Sequence, residues 1–226
     1  SFRDLVSNED IFLAPVLQWN ISPKTTATLQ LEYQHQNKTF DQIALPFNDA
    51  KLQVIEKPHN INYGERNPLQ QETHLVDFDL EHKFNDQWSV KQGVTFKSQA
   101  SKLDYVAIPD SFLLDDTVGL GSNKVTRISQ RGANIPDITD TLATNVDVTG
   151  HFDTWGLAHT LLMGGDYYRF EATGHTDMGN IQLDPDLPGY GYGDLVTDID
   201  NPLHNPRYHT LFRGDTYRQG VDNFGA

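Results

Sequence analysis

The chain has 226 residues, a formal net charge of −14, 37% hydrophobic residues and no cysteine. This length suits one or two ordinary domains. The lack of cysteine excludes disulfides and thiolate metal sites. An acidic chain without a basic stripe is not expected to bind nucleic acid, and its charge favours cationic or neutral ligands. No apolar run approaches the length of a membrane-spanning helix.

The first predicted hairpin covers about residues 9–36. In strand 9–19 a period of two places apolar residues on one face, namely Ile11, Leu13, Pro15, Leu17 and Trp19. Pro15 has no amide hydrogen to donate to a sheet ladder, so we expect an edge or a bulge there. Residues 20–24 have the composition of a turn. Strand 25–36 then returns with an apolar face made of Ala27, Leu29, Leu31 and Tyr33.

Four further strands are predicted at about residues 71–84, 87–98, 138–153 and 155–171. Asn85-Asp86 and Asp153-Thr154-Trp155-Gly156 give tight turns inside the two pairs. Each strand has one apolar face. The opposite faces carry acids and amides, which a packed core does not accept unpaired. These faces should therefore be wet, and their acids include Asp77, Asp79, Glu81, Asp147 and Asp166.

Short turns alternate with long connections at about residues 37–70, 99–137 and 172–220, all at one end of the sheet. Such long loops are usually functional or disordered. Aromatic residues gather near the short-turn end, namely Trp19, Phe84, Trp88, Phe152 and Trp155. This arrangement is typical of bacterial outer-membrane barrels. We therefore predict an all-β antiparallel meander forming part of a transmembrane β-barrel. The alternative left open is a soluble β-sandwich in which the aromatic residues are core residues.

Several motifs, in order along the chain, resemble those of TonB-dependent siderophore receptors. Their "LL-x-G-x-D-[YF]" strand is similar to Leu161-Leu162-Met163-Gly164-Gly165-Asp166-Tyr167. Their "SFRD…aP-x-l-x-W" segment resembles residues 1–4 and 14–19, and their "H-x-F-x-x-x-W" short turn resembles residues 82–88. Asn201-Pro202 resembles the "NP" of a long loop. The subfamily that the chain resembles most is the ferrichrome and hydroxamate type.

The resemblance implies a 22-stranded barrel in the bacterial outer membrane, plugged by an N-terminal domain. Such receptors take up a ferric siderophore with energy delivered through TonB. The plug and the other strands are absent from this sequence, so we expect a fragment. The implied partners are a ferric siderophore, TonB through the plug region, and outer-membrane lipid, and the receptor is expected to be a monomer. Iron stays inside the chelate, so neither a cofactor nor protein metal ligands are expected.

Tyrosines of the long connections are the candidate ligand contacts. Tyr190 and Tyr192 lie in a Gly-Tyr-Gly-Tyr-Gly stretch, where glycines let the backbone approach a ligand while the rings stack on it. Tyr63 and Tyr105 are similar candidates in the first and second connections. The alternative is that these tyrosines are incidental surface residues. On a β-sandwich they would instead be stacking platforms for a carbohydrate.

Catalysis and metal binding have little support in the sequence. The nine histidines show no spacing typical of a zinc motif. Paired carboxylates occur at Asp115-Asp116 and at Asp184 and Asp186, but nothing in the sequence places them across a cleft. We therefore do not expect an enzyme.

Overall fold

The computed structural model describes residues 3–39, 41, 45–48, 51–64, 66, 68–113, 127–179, 195–202 and 212–225. Within these ranges the chain forms eleven strands. They are β1 (Asn8–Leu13), β2 (Val16–Ser22), β3 (Thr25–Thr39), β4 (Phe47–Asn48), β5 (Gln53–Val54), β6 (Pro68–Lys83), β7 (Trp88–Leu113), β8 (Arg127–Thr154), β9 (Leu157–Gly179), β10 (Leu195–Asp198) and β11 (Phe212–Gly225).

The long strands form one sheet in the order β1-β3-β6-β7-β8-β9-β11, and all of these neighbours are antiparallel. From β3 onward this order follows the chain, as expected for a meander. β1 and β2 both pair with β3 and are separated at Ala14 and Pro15. There the carbonyl of Pro15 still accepts a hydrogen bond of 3.0 Å from the Leu31 amide. Pro15 thus lies at an edge of the sheet, as the sequence predicts, but the single strand predicted over residues 9–19 is divided there into β1 and β2.

The turn between β8 and β9 has the geometry expected of a two-residue hairpin. Thr154 and Leu157 are ladder partners. Between them, Trp155 has φ 51° and Gly156 has φ 81°. Two successive residues with positive φ are the mark of a type I′ turn, whose twist matches that of the flanking strands. The side chain of Trp155 is 99% exposed at the tip of this turn.

Several strands continue into stretches that the sequence assigns to connections. β7 runs to Leu113 and β8 begins at Arg127, so their hairpin occupies much of residues 99–137. β9 extends to Gly179, and β11 pairs with it over part of residues 172–220. Apolar and polar residues do not alternate regularly along these extensions. Backbone hydrogen bonds between neighbouring strands hold these extensions in the sheet. The extensions lack the apolar alternation by which a strand is predicted from sequence.

Cross-strand partners place the apolar residues on a single face. Leu29, Phe78 and Val94 are successive partners across β3, β6 and β7. That face is largely uncovered, with Trp19 64% exposed and Met163 53% exposed. No second sheet packs on it within the described ranges. The β-sandwich alternative is therefore wrong for this chain, because a sandwich buries its apolar faces between two sheets.

The uncovered apolar face forms a band of limited height. On β9 it runs from Leu157 to Tyr167. Immediately beyond it, Arg169 pairs with Glu171 at 2.5 Å, and Arg218 lies 3.7 Å from the same carboxylate. A membrane-crossing strand needs about 9–11 tilted residues. The band therefore matches the thickness of a bilayer, and the charged residues lie at its edge.

Candidate functional site

The polar face of the sheet carries four of the five predicted acids in two neighbouring rows, and Asp77 lies in the adjoining row opposite Thr95. In one row, Asp79, Gly93, Asn145 and Asp166 are successive partners from β6 to β9. In the next row, Lys91 lies between Glu81 on one side and Asp147 on the other. Opposite charges facing each other across a ladder stabilise a sheet modestly.

Glycines beneath these acids leave room for their side chains to lie across the sheet. A Cβ on Gly164 would lie 2.3 Å from Oδ1 of Asp147, and one on Gly225 would lie 2.2 Å from Oδ1 of Asp166. Asp147 also accepts a hydrogen bond of 2.8 Å from Nδ2 of Asn145. The carboxylates of Asp147 and Asp166 therefore lie against the backbone of neighbouring strands on the polar face. Charged groups at this position are expected on a face turned toward water.

A second feature lies where the long connections meet. Tyr63 and Ile199 are 3% and 2% exposed, and Ile55 and Ile61 pack against them. We call these four residues the loop cluster. The Tyr63 hydroxyl donates a hydrogen bond of 3.2 Å to the carbonyl oxygen of Ile199. The cluster thus joins the connection between β3 and β6 to the segment that follows β10.

The segment before β1 is bound to the same connection. Arg3 is 9% exposed; its guanidinium lies 3.0 Å from the Asp41 carboxylate and donates to the Ile61 carbonyl at 3.2 Å. The Asp4 carbonyl accepts a hydrogen bond of 3.0 Å from the buried side chain of Asn62. The backbone of this region is therefore held by specific polar contacts as well as by apolar packing.

The predicted ligand contacts have different positions. Tyr63 is buried in the loop cluster with its hydroxyl bonded, so a ligand would reach its ring only if the cluster opened. Tyr105 belongs to β7, and its side chain is outside the described residues. Tyr190 and Tyr192 also lie outside the described residues. A ligand contact through Tyr105, Tyr190 or Tyr192 therefore stays a prediction.

The sequence reasoning missed the residues that organise the loop cluster. Ile199 and Asn62 sit in stretches rich in turn-forming residues, where no periodicity marks a buried position. Their only signal in the sequence is an isolated apolar or aromatic residue beside Asn and Asp. Such a signal does not identify the partner, because Tyr63 and Ile199 are 136 positions apart.

Two structural features are absent from the described part of the chain. No helix there is long and apolar enough to cross a membrane. Among the same residues, no group of three or more histidine, aspartate or glutamate side chains is arranged to hold a metal ion.

Known proteins are similar to the chain over nearly its whole length, although no family profile matches it. The metal-pseudopaline receptor CntO of Pseudomonas aeruginosa is 25% identical over 224 residues, which are 98% of this chain and 28% of that receptor. A probable TonB-dependent siderophore receptor, PiuA of Acinetobacter baumannii, is 28% identical over 95% of this chain and 28% of its own length. Both are receptors, in agreement with the expectation that the chain is not an enzyme. The chain spans little more than a quarter of their length.

A solved structure has the same fold. The ferripyoverdine receptor of the outer membrane of Pseudomonas aeruginosa, bound to ferripyoverdine, superposes with a TM-score of 0.68 at 19% identity. The match covers 99% of this chain and 28% of that receptor. The chain therefore has the fold of part of this outer-membrane receptor, and its sequence is similar to those of CntO and PiuA over almost its whole length.

Proposed function

We propose that the chain forms part of an outer-membrane receptor that imports a metal chelate with energy delivered through TonB. The observation that carries this proposal is the uncovered apolar band on a single-layer sheet, in a chain related to such receptors from end to end. An exposed apolar surface of this extent needs a nonpolar surrounding. Lipid supplies it outside the barrel, while the acidic face lines the hydrated interior.

The long connections would supply the first contacts with the chelate, and the sheet would supply the wall of its path. Tyr105, Tyr190 and Tyr192 are the proposed stacking residues, because aromatic rings bind bulky chelates through large contact areas. Tyr63 has a structural role instead, since its ring is buried and its hydroxyl is bonded. TonB would contact the plug domain, which lies outside this sequence. The receptor is proposed to work as a monomer surrounded by lipid.

We further propose a hydroxamate-type ferric siderophore, such as ferrichrome, as the transported ligand. The support is the motif resemblance to ferrichrome and hydroxamate receptors. The charge of the chain adds to it, because a net charge of −14 disfavours strongly anionic ligands. The relatives named above bind other chelates, metal-pseudopaline and ferripyoverdine, and these are the competing candidates.

Uptake of each chelate, labelled with a radioactive isotope of its metal, tests both the receptor function and the choice of chelate. The complete receptor containing this chain is produced in bacteria that lack their own siderophore receptors, with and without a functional TonB. Ferrichrome, ferripyoverdine and metal-pseudopaline are offered separately. We expect uptake only with functional TonB, and with ferrichrome. Uptake of another chelate would overturn the hydroxamate assignment but keep the receptor function. Absence of TonB-dependent uptake with all three chelates would contradict the proposed function.

A further inference from the structure

We propose that Tyr63 is a latch that fastens the connection between β3 and β6 to the segment that follows β10, so that the two move as one body. Tyr63 is a positioning residue in this proposal and makes no contact with a transported chelate. The value of the latch for chelate capture rests on the proposed function, whereas the fastening itself does not.

Each side of the latch is anchored independently to the sheet. On one side, β10 pairs with the far end of β8 through four residues, from Leu195 opposite Gln130 to Asp198 opposite Arg127. Ile199 follows directly. On the other side, residues 58–64 are bound to the segment before β1, where the Asp4 amide donates to the Asn60 carbonyl at 3.0 Å. Neither anchor needs the other.

The contacts between the two anchored bodies converge on Tyr63. Its ring packs on Ile199, and its hydroxyl satisfies the carbonyl of that residue at 3.2 Å. Close by, the Lys57 ammonium forms an ion pair with the Asp200 carboxylate. The Asp200 carboxylate is 68% exposed, and an ion pair this open contributes little on its own. The buried tyrosine therefore sets the distance between the two bodies. The contact between Lys57 and Asp200 can be used to detect a change in that distance.

The latch does not act alone in tying the connections together. β4 pairs with β7 in parallel, with Phe47 opposite Phe112. Pro46, next to Phe47, is fully buried, and its carbonyl accepts a hydrogen bond of 2.8 Å from the Ile55 amide. The connection after β3 thus bridges the long β7–β8 hairpin and the segment after β10. A chelate that arrives at this end of the barrel would contact the joined connections as one continuous surface.

Zero-length cross-linking with a carbodiimide tests the latch in the complete receptor without any chelate. The reagent joins Lys57 to Asp200 by an amide bond only while their side chains touch, and mass spectrometry measures the yield. Tyr63→Ala removes both the packing and the hydroxyl, and should lower the yield about tenfold or more. Tyr63→Phe keeps the packing and should lower the yield a few-fold. Tyr168→Ala, on the exposed polar face of β9, is the matched control and should leave the yield unchanged.

Hydrogen exchange of β3 and β6 shows whether a variant keeps the barrel intact. If exchange there is disturbed in Tyr63→Ala, the Tyr63→Phe variant decides the test. An unchanged cross-link in both Tyr63 variants would overturn the latch, as would absence of the cross-link in the wild-type receptor. No chelate is used, so this test is independent of the uptake assay. If the receptor fails every uptake assay but its cross-link forms in the wild type and is lost in the Tyr63 variants, the latch stands and the proposed function is removed.

Discussion

The indole of Trp88 lies over Gly150, its direct partner across the ladder between β7 and β8. A Cβ placed on Gly150 would lie 2.4 Å from Cζ3 of that ring. The glycine therefore lets a large aromatic residue lie flat against the sheet at the short-turn end of the apolar band.

Gly150→Ala should force the Trp88 ring away from the sheet. We expect a loss of about 1–3 kcal/mol in the free energy of unfolding, the usual cost of overpacking. Urea titration of the complete receptor in lipid vesicles measures it. Gly220→Ala is the matched control, because a Cβ there would meet its nearest neighbour at an ordinary 3.7 Å. Equal stability of the two variants would contradict the packing of Trp88 on Gly150.

The turn after β8 should tolerate asparagine better than it tolerates a branched residue. Gly156 has φ 81°, a conformation that costs an L-residue with a side chain about 1–2 kcal/mol. Gly156→Val is therefore expected to destabilise the β8–β9 hairpin by about that amount. Trp155→Asn should cause no backbone strain, because Asn accepts the left-handed region that Trp155 already occupies. The same urea titration compares the two, and equal losses would exclude a type I′ turn.

The two faces of the sheet should respond differently to a positive charge. Phe78→Arg places a guanidinium on the apolar band and should destabilise the receptor by about 2–4 kcal/mol. Gln30→Arg places the same group on the polar face, opposite Asp77, and should have little effect. The measurement is again unfolding in lipid vesicles. Comparable losses for the two variants would mean that the apolar face is not in contact with lipid.

Chelate binding should depend on the glycine-flanked tyrosines more than on Tyr63. Replacing both Tyr190 and Tyr192 by alanine removes two stacking rings, each expected to contribute about 0.5–1.5 kcal/mol. The Kd for ferrichrome, measured by fluorescence quenching, should therefore rise about fivefold or more. The Tyr105→Ala variant should weaken binding to a smaller extent. An unchanged Kd in the double variant would remove Tyr190 and Tyr192 from the site.

The regular part of the fold is predictable because one physical pattern governs it. Alternation from Ala27 to Tyr33 and from Val76 to Phe84 reports a sheet with one face in an apolar medium. The position of the turn at Trp155 and Gly156 is predictable for a local reason, since Gly156 readily adopts positive φ, whereas the positive φ of Trp155 has no signal in the sequence.

What the sequence does not reveal depends on long-range contacts or on backbone pairing alone. The extension of β7 to Leu113 and the pairing of β11 with β9 involve stretches in which apolar and polar residues do not alternate regularly, so no period of two marks them. The contact of Tyr63 with Ile199 joins two irregular stretches. From sequence alone, Tyr63 looks the same as a tyrosine that binds a ligand, and only its burial separates the two roles.

The central claim is that this sheet is a single wall between lipid and water, and spin-label accessibility tests it most directly. Nitroxide labels are placed one at a time at residues 76–80 of the complete receptor in lipid vesicles, and their exposure to oxygen and to a water-soluble nickel complex is measured. We expect strict alternation, with residues 76, 78 and 80 accessible to oxygen in lipid and Asp77 and Asp79 accessible to the nickel complex. Protection of all five positions from both reagents would indicate a buried strand between two layers and would contradict the account.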